Sequence, residues 1–206
     1  MSAHTDRDQA NCHGLGPAYA RMDGKQVDIR EAIGPAYSGL EEAKADVVGQ
    51  GHVRVMLAGA GGKRLKARDL VEACLERIGR RQGWVHAWEA LDVEGALKRA
   101  EQLDKRAKPV GPLHGIPLAV KDIICTKTMP TTCGSPIYRD FVAGRDAACV
   151  TQLVKAGAIV LGKSVTTEFA GAHAGKTHNP HNLRHTPAGS SSGSAAAVAD
   201  FMAPIG

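Results

Sequence analysis

Gly115-Ile116-Pro117-Leu118-Ala119-Val120-Lys121-Asp122-Ile123-Ile124 is an apolar run interrupted only by one lysine and one aspartate. A short apolar run of this kind, opened by a glycine, reads as a buried strand. Farther along, Asp146 is placed to cap a helix whose apolar face is Cys149, Val150, Leu153 and Val154, and Gly157 stands where that helix ends. Ala158-Ile159-Val160-Leu161 follows as a second buried strand. Strand, helix and strand in that order imply a parallel or mixed sheet with helices on its faces, so the chain is expected to be an α/β protein.

Upstream of this unit the pattern is helical. From Ala67, residues Leu70, Val71, Cys74, Leu75 and Ile78 recur on one face, with Arg68, Asp69, Glu72, Glu76, Arg77 and Arg80 on the other. A second helix is expected after Asp92 as N-cap, with Val93, Ala96, Leu97, Ala100 and Leu103 on its apolar stripe. Residues 1–60 differ in texture, with many Gly, Asp, Gln and His and weak periodicity. They read as a poorly specified arm ahead of a domain over 61–206. Gly16-Pro17-Ala18-Tyr19 recurs as Gly34-Pro35-Ala36-Tyr37, which is too little for a repeat architecture. Val53-Arg54-Val55-Met56-Leu57-Ala58 is a candidate strand running into Gly59-Ala60-Gly61-Gly62-Lys63. That glycine cluster fails as a phosphate loop, because Arg64 stands where a dinucleotide fingerprint needs Gly or Ala and where a P-loop needs Ser or Thr. It reads as a flexible connection.

Composition removes several function classes. Five widely spaced cysteines (Cys12, Cys74, Cys125, Cys133, Cys149) contain no C-x-x-C pair, which argues against a disulfide framework and a thiolate zinc site and for buried free thiols. The net charge of +5 comes from scattered residues, and three Phe and two Trp offer little stacking surface, so no nucleic-acid partner is expected. The start lacks a signal-peptide h-region and no run approaches the roughly 18 apolar residues of a membrane span, so no membrane contact and a cytoplasmic location are expected. His178, His181 and His185 fall close together, but Pro180 breaks any helix there and no acidic or thiol ligand is near. Neither a metal nor an organic cofactor is expected.

Two features carry chemistry. Lys121 lies among apolar neighbours, and desolvation favours the neutral amine that a base requires. The alternative is a lysine at a strand end that snorkels to solvent or pairs with Asp122 or another carboxylate. Lys163 lies at the other strand end, and ligands in open α/β sheets gather beyond the carboxyl ends of strands. The second feature is Pro187-Ala188-Gly189-Ser190-Ser191-Ser192-Gly193-Ser194 running into Ala195-Ala196-Ala197-Val198-Ala199. It reads as a polar loop feeding a helix N-terminus, suited to an anion or a developing oxyanion. A flexible loop in which Ser192 or Ser194 merely caps the helix fits the same composition.

From about Leu70 to Gly206 the chain resembles the amidase signature family. The matching stretches are Gly111-Pro112-Leu113-His114-Gly115-Ile116-Pro117-Leu118-Ala119-Val120-Lys121-Asp122, Thr131-Thr132-Cys133-Gly134-Ser135, Ala156-Gly157-Ala158-Ile159-Val160-Leu161-Gly162-Lys163, Thr167-Glu168-Phe169, Asn179-Pro180-His181 and the serine run. The resemblance implies an α/β amidase signature fold, a mixed central sheet covered by helices on both faces, truncated here to its N-terminal portion. It also implies hydrolysis of carboxylic amides through a Ser, cis-Ser and Lys triad by way of an acyl-enzyme. By that resemblance Lys121 is the base, Ser190 the bridging serine behind a cis peptide bond, and Gly189 and Ser191 contact substrate.

The nucleophile of the family is a second serine, in a Gly-Gly-Ser or Ala-Gly-Ser turn farther along. Only sixteen residues follow Ser190, so the chain is expected to be an inactive fragment. Lys66-Ala67 replaces the usual Ser or Thr cap of the first helix, and Ala188 replaces a glycine, a mild change if its φ is negative. Thr166-Thr167-Glu168-Phe169 with Asn179-Pro180-His181 resembles general bacterial amidases. The glutaminase component of a tRNA-dependent amidotransferase, its A subunit, is the alternative within the family, and a non-enzymatic anion-binding module is the alternative outside it. The resemblance implies a small-molecule amide as partner and allows a homodimer of the full-length protein.

Overall fold

The computed structural model describes residues 65–206 and, before them, the backbone of strands 19–22 and 25–28. These are β1 (Tyr19–Met22) and β2 (Lys25–Asp28), which pair antiparallel with Tyr19 opposite Asp28 and Met22 opposite Lys25. Asp23-Gly24 between them is a common dipeptide of two-residue hairpins, a signal obscured by the weak periodicity around it. The candidate strand at 53–58 and the glycine cluster at 59–63 lie outside the described residues.

The larger sheet has three strands: β3 (Trp88–Leu91), β4 (Pro117–Lys121) and β5 (Ile159–Ser164), in the order β3-β5-β4. β4 runs parallel to β5, with Val120 beside Lys163 and Lys121 beside Ser164, while β3 runs antiparallel to β5. The sheet is therefore mixed, as expected. On the free side of β4, the Ala119 N–H donates to the Ile205 carbonyl at 3.0 Å, so the chain beyond residue 203 returns alongside this strand.

Side-chain alternation along β4 sorts two apolar clusters onto opposite faces. Ala119 packs with Leu70, Val71, Cys74, Ala100, Leu103 and Ala197. Leu118 and Val120 pack instead with Val150 and Ala158. The first face is thus covered by α1 (Ala67–Val85), α2 (Val93–Asp104) and α4 (Ser192–Ala199), the second by α3 (Ala148–Lys155). Each fully buried Leu or Val contributes about 1.5–3 kcal/mol, which makes the α1–α2 layer the main source of stability. Among the described residues no helix is long and apolar enough to cross a membrane.

Helix boundaries depart from the sequence-based expectation in instructive ways. α1 begins after Lys66, whose side chain makes no cap; instead the Asp104 carboxylate at the end of α2 accepts from the Ala67 N–H at 2.7 Å and the Arg68 N–H at 3.0 Å. Asp92 caps α2 as expected, accepting from the Gly95 N–H at 3.0 Å, but Val93 on the expected apolar stripe is 44% exposed. Asp146 does not cap α3: the helix starts after Ala147, and the Asp146 carboxylate accepts from the Lys127 N–H at 2.7 Å. Gly157 ends α3 as expected, with φ at 103°. The Gly157 N–H bonds the Val154 carbonyl and the Ala158 N–H the Leu153 carbonyl, a Schellman arrangement that turns the chain into β5.

Of the four cysteines in the described residues, all free, only Cys74 is buried; Cys149, expected on the buried face of α3, is exposed. Burial in the α1–α2 layer pushes the Cys74 thiol up to about 12. At the far end of α1, Arg77 Nη2 and Arg81 Nε bind the buried Asp200 carboxylate at 2.7 and 2.8 Å. This clamp fixes the residue that ends α4, and with it the helix that follows the serine run.

Candidate active site

Lys121 is the last residue of β4, where strand alternation turns its side chain to the α4 face. It is half-buried, and its Nζ donates to Ser190 Oγ at 2.6 Å. The two residues come together because the loop before α4 crosses the carboxyl ends of β4 and β5. The Gly189–Ser190 peptide bond is cis.

Ser190 is held by the segment that follows β5. The Thr167 N–H donates to the Ser190 carbonyl at 3.0 Å, and a Cβ on Gly189 would come within 2.6 Å of Thr167 Cγ2, so this position has no room for a side chain. The Thr167 hydroxyl itself is buried with no hydrogen-bond partner among the described residues. Ala188 adopts φ of 63°, a left-handed conformation that favours glycine, so its substitution for glycine is strained rather than mild.

The serines of the run divide their work differently from the sequence-based expectation. Ser191 occupies the N-cap of α4 without a side-chain capping bond. Neither Ser192 nor Ser194 caps: the Ser192 hydroxyl donates to the Val165 carbonyl at 3.4 Å, and Ser194 Oγ lies 2.7 Å from Ser164 Oγ. The Gly193 N–H bonds the Val165 carbonyl at 2.8 Å, so one amide expected to face an anion is spent on docking the helix against β5. Gly193 sits so close to Val165 and the Ala87 carbonyl that a Cβ there would overlap both. Gly189 is exposed beside the Lys121–Ser190 pair, and Ser191 is half-buried at the head of α4.

The opposite face of the same strand ends carries a second polar cluster. Asp122 and Lys163 are 1% and 0% exposed and pair at 3.1 Å. Lys163 Nζ also donates to Thr131 Oγ1 at 2.8 Å and to the Pro130 carbonyl at 3.3 Å, so each of its three protons has an acceptor. Asp122 accepts from the Thr132 N–H at 3.2 Å and from the Thr132 hydroxyl. Burial pushes the Lys163 amine down, and the Asp122 carboxylate acts against that shift. Burial, and then the Asp122 charge, raise the nearby Cys133 thiol. The sequence placed Lys163 at a strand end, but nothing in it showed that Asp122 would face this second lysine.

A cavity of about 280 Å³ opens next to this second cluster, lined by Thr132, Ser135, Arg139, Thr166, Lys176 and Glu89 among others, and neither Lys121 nor Ser190 lines it. His178 bonds the Leu183 carbonyl through Nδ1 at 2.8 Å and stacks at a tilt on His86. Among the described residues no group of three or more His, Cys, Asp or Glu could hold a metal ion.

Chemically, a lysine amine bonded to a serine hydroxyl forms a short proton path, the arrangement by which a base activates a hydroxyl. The contacts Thr167 N–H to the Ser190 carbonyl and Ser164 to Ser194 escaped sequence reasoning, because each joins residues far apart in the chain.

Comparison with known proteins identifies the family. The sequence profile of the Amidase family matches residues 69–206. The A subunit of glutamyl-tRNA(Gln) amidotransferase from Acidothermus cellulolyticus is 41% identical over 152 residues, covering 69% of this chain and 30% of that protein. Its namesake from Symbiobacterium thermophilum is 42% identical over 162 residues, covering 74% and 32%. Among solved structures, the peptide amidase of Stenotrophomonas maltophilia superposes with a TM-score of 0.64 at 38% identity, covering 73% of this chain and 33% of that one. The chain thus spans about 30% of the length of the curated relatives it matches. With a profile match over two thirds of its length, the chain belongs to the amidase family.

Proposed function

We propose that these residues supply the base and the bridging serine of an amide-hydrolysing site, Lys121 and Ser190. The observation that carries this reading is the 2.6 Å hydrogen bond between Lys121 Nζ and Ser190 Oγ. In the proposed reaction, neutral Lys121 takes the Ser190 proton while Ser190 takes the proton of a nucleophilic serine. The freed alkoxide attacks the amide carbon and forms an acyl-enzyme. The C–N bond breaks, and the relay returns its proton to the departing amine. Water then hydrolyses the ester with the same relay acting as base.

The family resemblance puts the nucleophile after residue 206, so this reading assigns it to sequence outside these residues. Gly189 and Ser191 flank the bridge and are proposed to contact the substrate. An anion-binding module is less well supported, because Lys121 donates to a hydroxyl and the Gly193 N–H is taken by Val165.

A second reading makes glutamine the amide that is cleaved, favoured by the curated relatives named as glutamyl-tRNA(Gln) amidotransferase components. The test is ammonia release from glutamine and from simple carboxamides by this chain alone, and by this chain joined to the continuation of an amidase domain that contains the Gly-Gly-Ser or Ala-Gly-Ser turn. The expected result is no turnover by the chain alone and turnover by the joined protein, with Lys121→Ala or Ser190→Ala lowering kcat about 10³-fold or more. Full activity in either variant overturns the assignment, and the preferred amide separates the two substrate readings.

A further inference from the structure

We propose that Lys163 is a positioning residue for Lys121: it neutralises and anchors Asp122, so that the carboxylate next to Lys121 in the chain does not hold a proton on that amine. The proposal rests on the reading of Lys121 as a base.

The geometry is a two-sided strand end. Lys121 at the end of β4 meets Ser190, while Asp122, the turn residue just after the strand, meets Lys163. A buried carboxylate left without a cation would stabilise positive charge on any amine close by. Lys163 removes that field. The Asp122 backbone is held separately: its N–H bonds the Ser164 carbonyl at 2.9 Å, and its carbonyl accepts from the Cys133 N–H at 3.0 Å. Asp122 and Lys163 are therefore the junction of β4, β5 and the loop of residues 130–135. Among the described residues, Cys125 and Cys133 also act electrostatically on Lys163. Glu168 lies on the segment that holds Ser190, and α4 carries no titratable side chain.

The test reads the amine rather than turnover, so its failure is distinct from failure of the amidase reading. In the 206-residue chain labelled with ¹³C/¹⁵N-lysine, the Lys121 Cε signal, assigned by its loss in Lys121→Met, is followed through a pH titration. Lys163→Met is expected to raise the Lys121 midpoint by about one pH unit, a tenfold gain in proton affinity. Asp122→Asn is expected to lower it, because an unpaired Lys163 ammonium repels a second one. The double variant Asp122→Asn/Lys163→Met is expected to return it towards the parent, and Lys163→Arg to keep the parent value. Where Lys163→Met fails to fold, Asp122→Asn and the double variant carry the test. Equal midpoints in the parent and in the folded single variants overturn the proposal, as does a shift of the same sign in both.

Discussion

Lys121 and Lys163 lie at the ends of neighbouring parallel strands, one register position apart, and the strand pleat gives them opposite surroundings. Lys163 is fully buried with a carboxylate, a hydroxyl and a carbonyl around its ammonium. Lys121 is half-buried against the hydroxyl of Ser190. A lysine at the carboxyl end of a strand is thus either a tied structural cation or an amine next to a hydroxyl, and the face it points to decides which.

The largest effect that separates the two comes from truncation. Lys163→Ala leaves Asp122 buried without its cation and is expected to cost about 3–5 kcal/mol, whereas Lys121→Ala, at a half-exposed position, is expected to cost less than about 1 kcal/mol. Urea midpoints at pH 7 measure both, and similar costs at the two sites would erase the distinction.

The Lys121 side depends on the docking of α4. Gly193→Ala drives a methyl into the Val165 amide and the Ala87 carbonyl, and is expected to lose about 2–3 kcal/mol of stability and to weaken the Lys121–Ser190 contact. Near-normal stability together with an unchanged lysine spectrum would show that the helix docks independently of that glycine.

The apolar layer beneath the Lys121 face provides a pH probe. Cys74 holds its proton up to about 12 in the folded chain, against an ordinary 9.0 when unfolded. Above pH 9 the unfolded chain therefore binds fewer protons than the folded one, and this group's contribution to stability falls as pH rises towards 12. Cys74→Ala is expected to flatten that part of the stability profile, and a thiol reagent at pH 8 to modify exposed Cys149 well before Cys74.

The smallest effect is a gain. Ala188→Gly relieves the left-handed φ at the entrance to the serine run and is expected to add about 0.5–1 kcal/mol, read as a rise in urea midpoint.

What was legible in the chain followed from local pattern. The 3.6-residue repeat of Leu70, Val71, Cys74 and Ile78 revealed α1, and the apolar runs around Val120 and Val160 revealed the parallel pair. β3 was missed because Trp88–Leu91 is four residues long, without a two-residue alternation, and exists as a strand through pairing with residues more than seventy positions later. Asp146 had the composition of a cap, yet its carboxylate found the Lys127 amide instead. At the candidate site, Lys121 and Ser190 were legible through ordered motifs. Asp122–Lys163 and Ser164–Ser194 were not, since alternation chooses their partners only once the strands are in register.

The start of α1 is closed by Asp104, a residue at the end of the next helix, which makes the first turn of one helix conditional on completion of the other. A truncated chain ending before Asp104 would have a frayed α1 even with its whole apolar stripe present. The Ala67 and Arg68 amides are therefore a built-in gauge: their hydrogen-exchange protection reports whether the helical hairpin has closed, independently of anything that happens at the sheet.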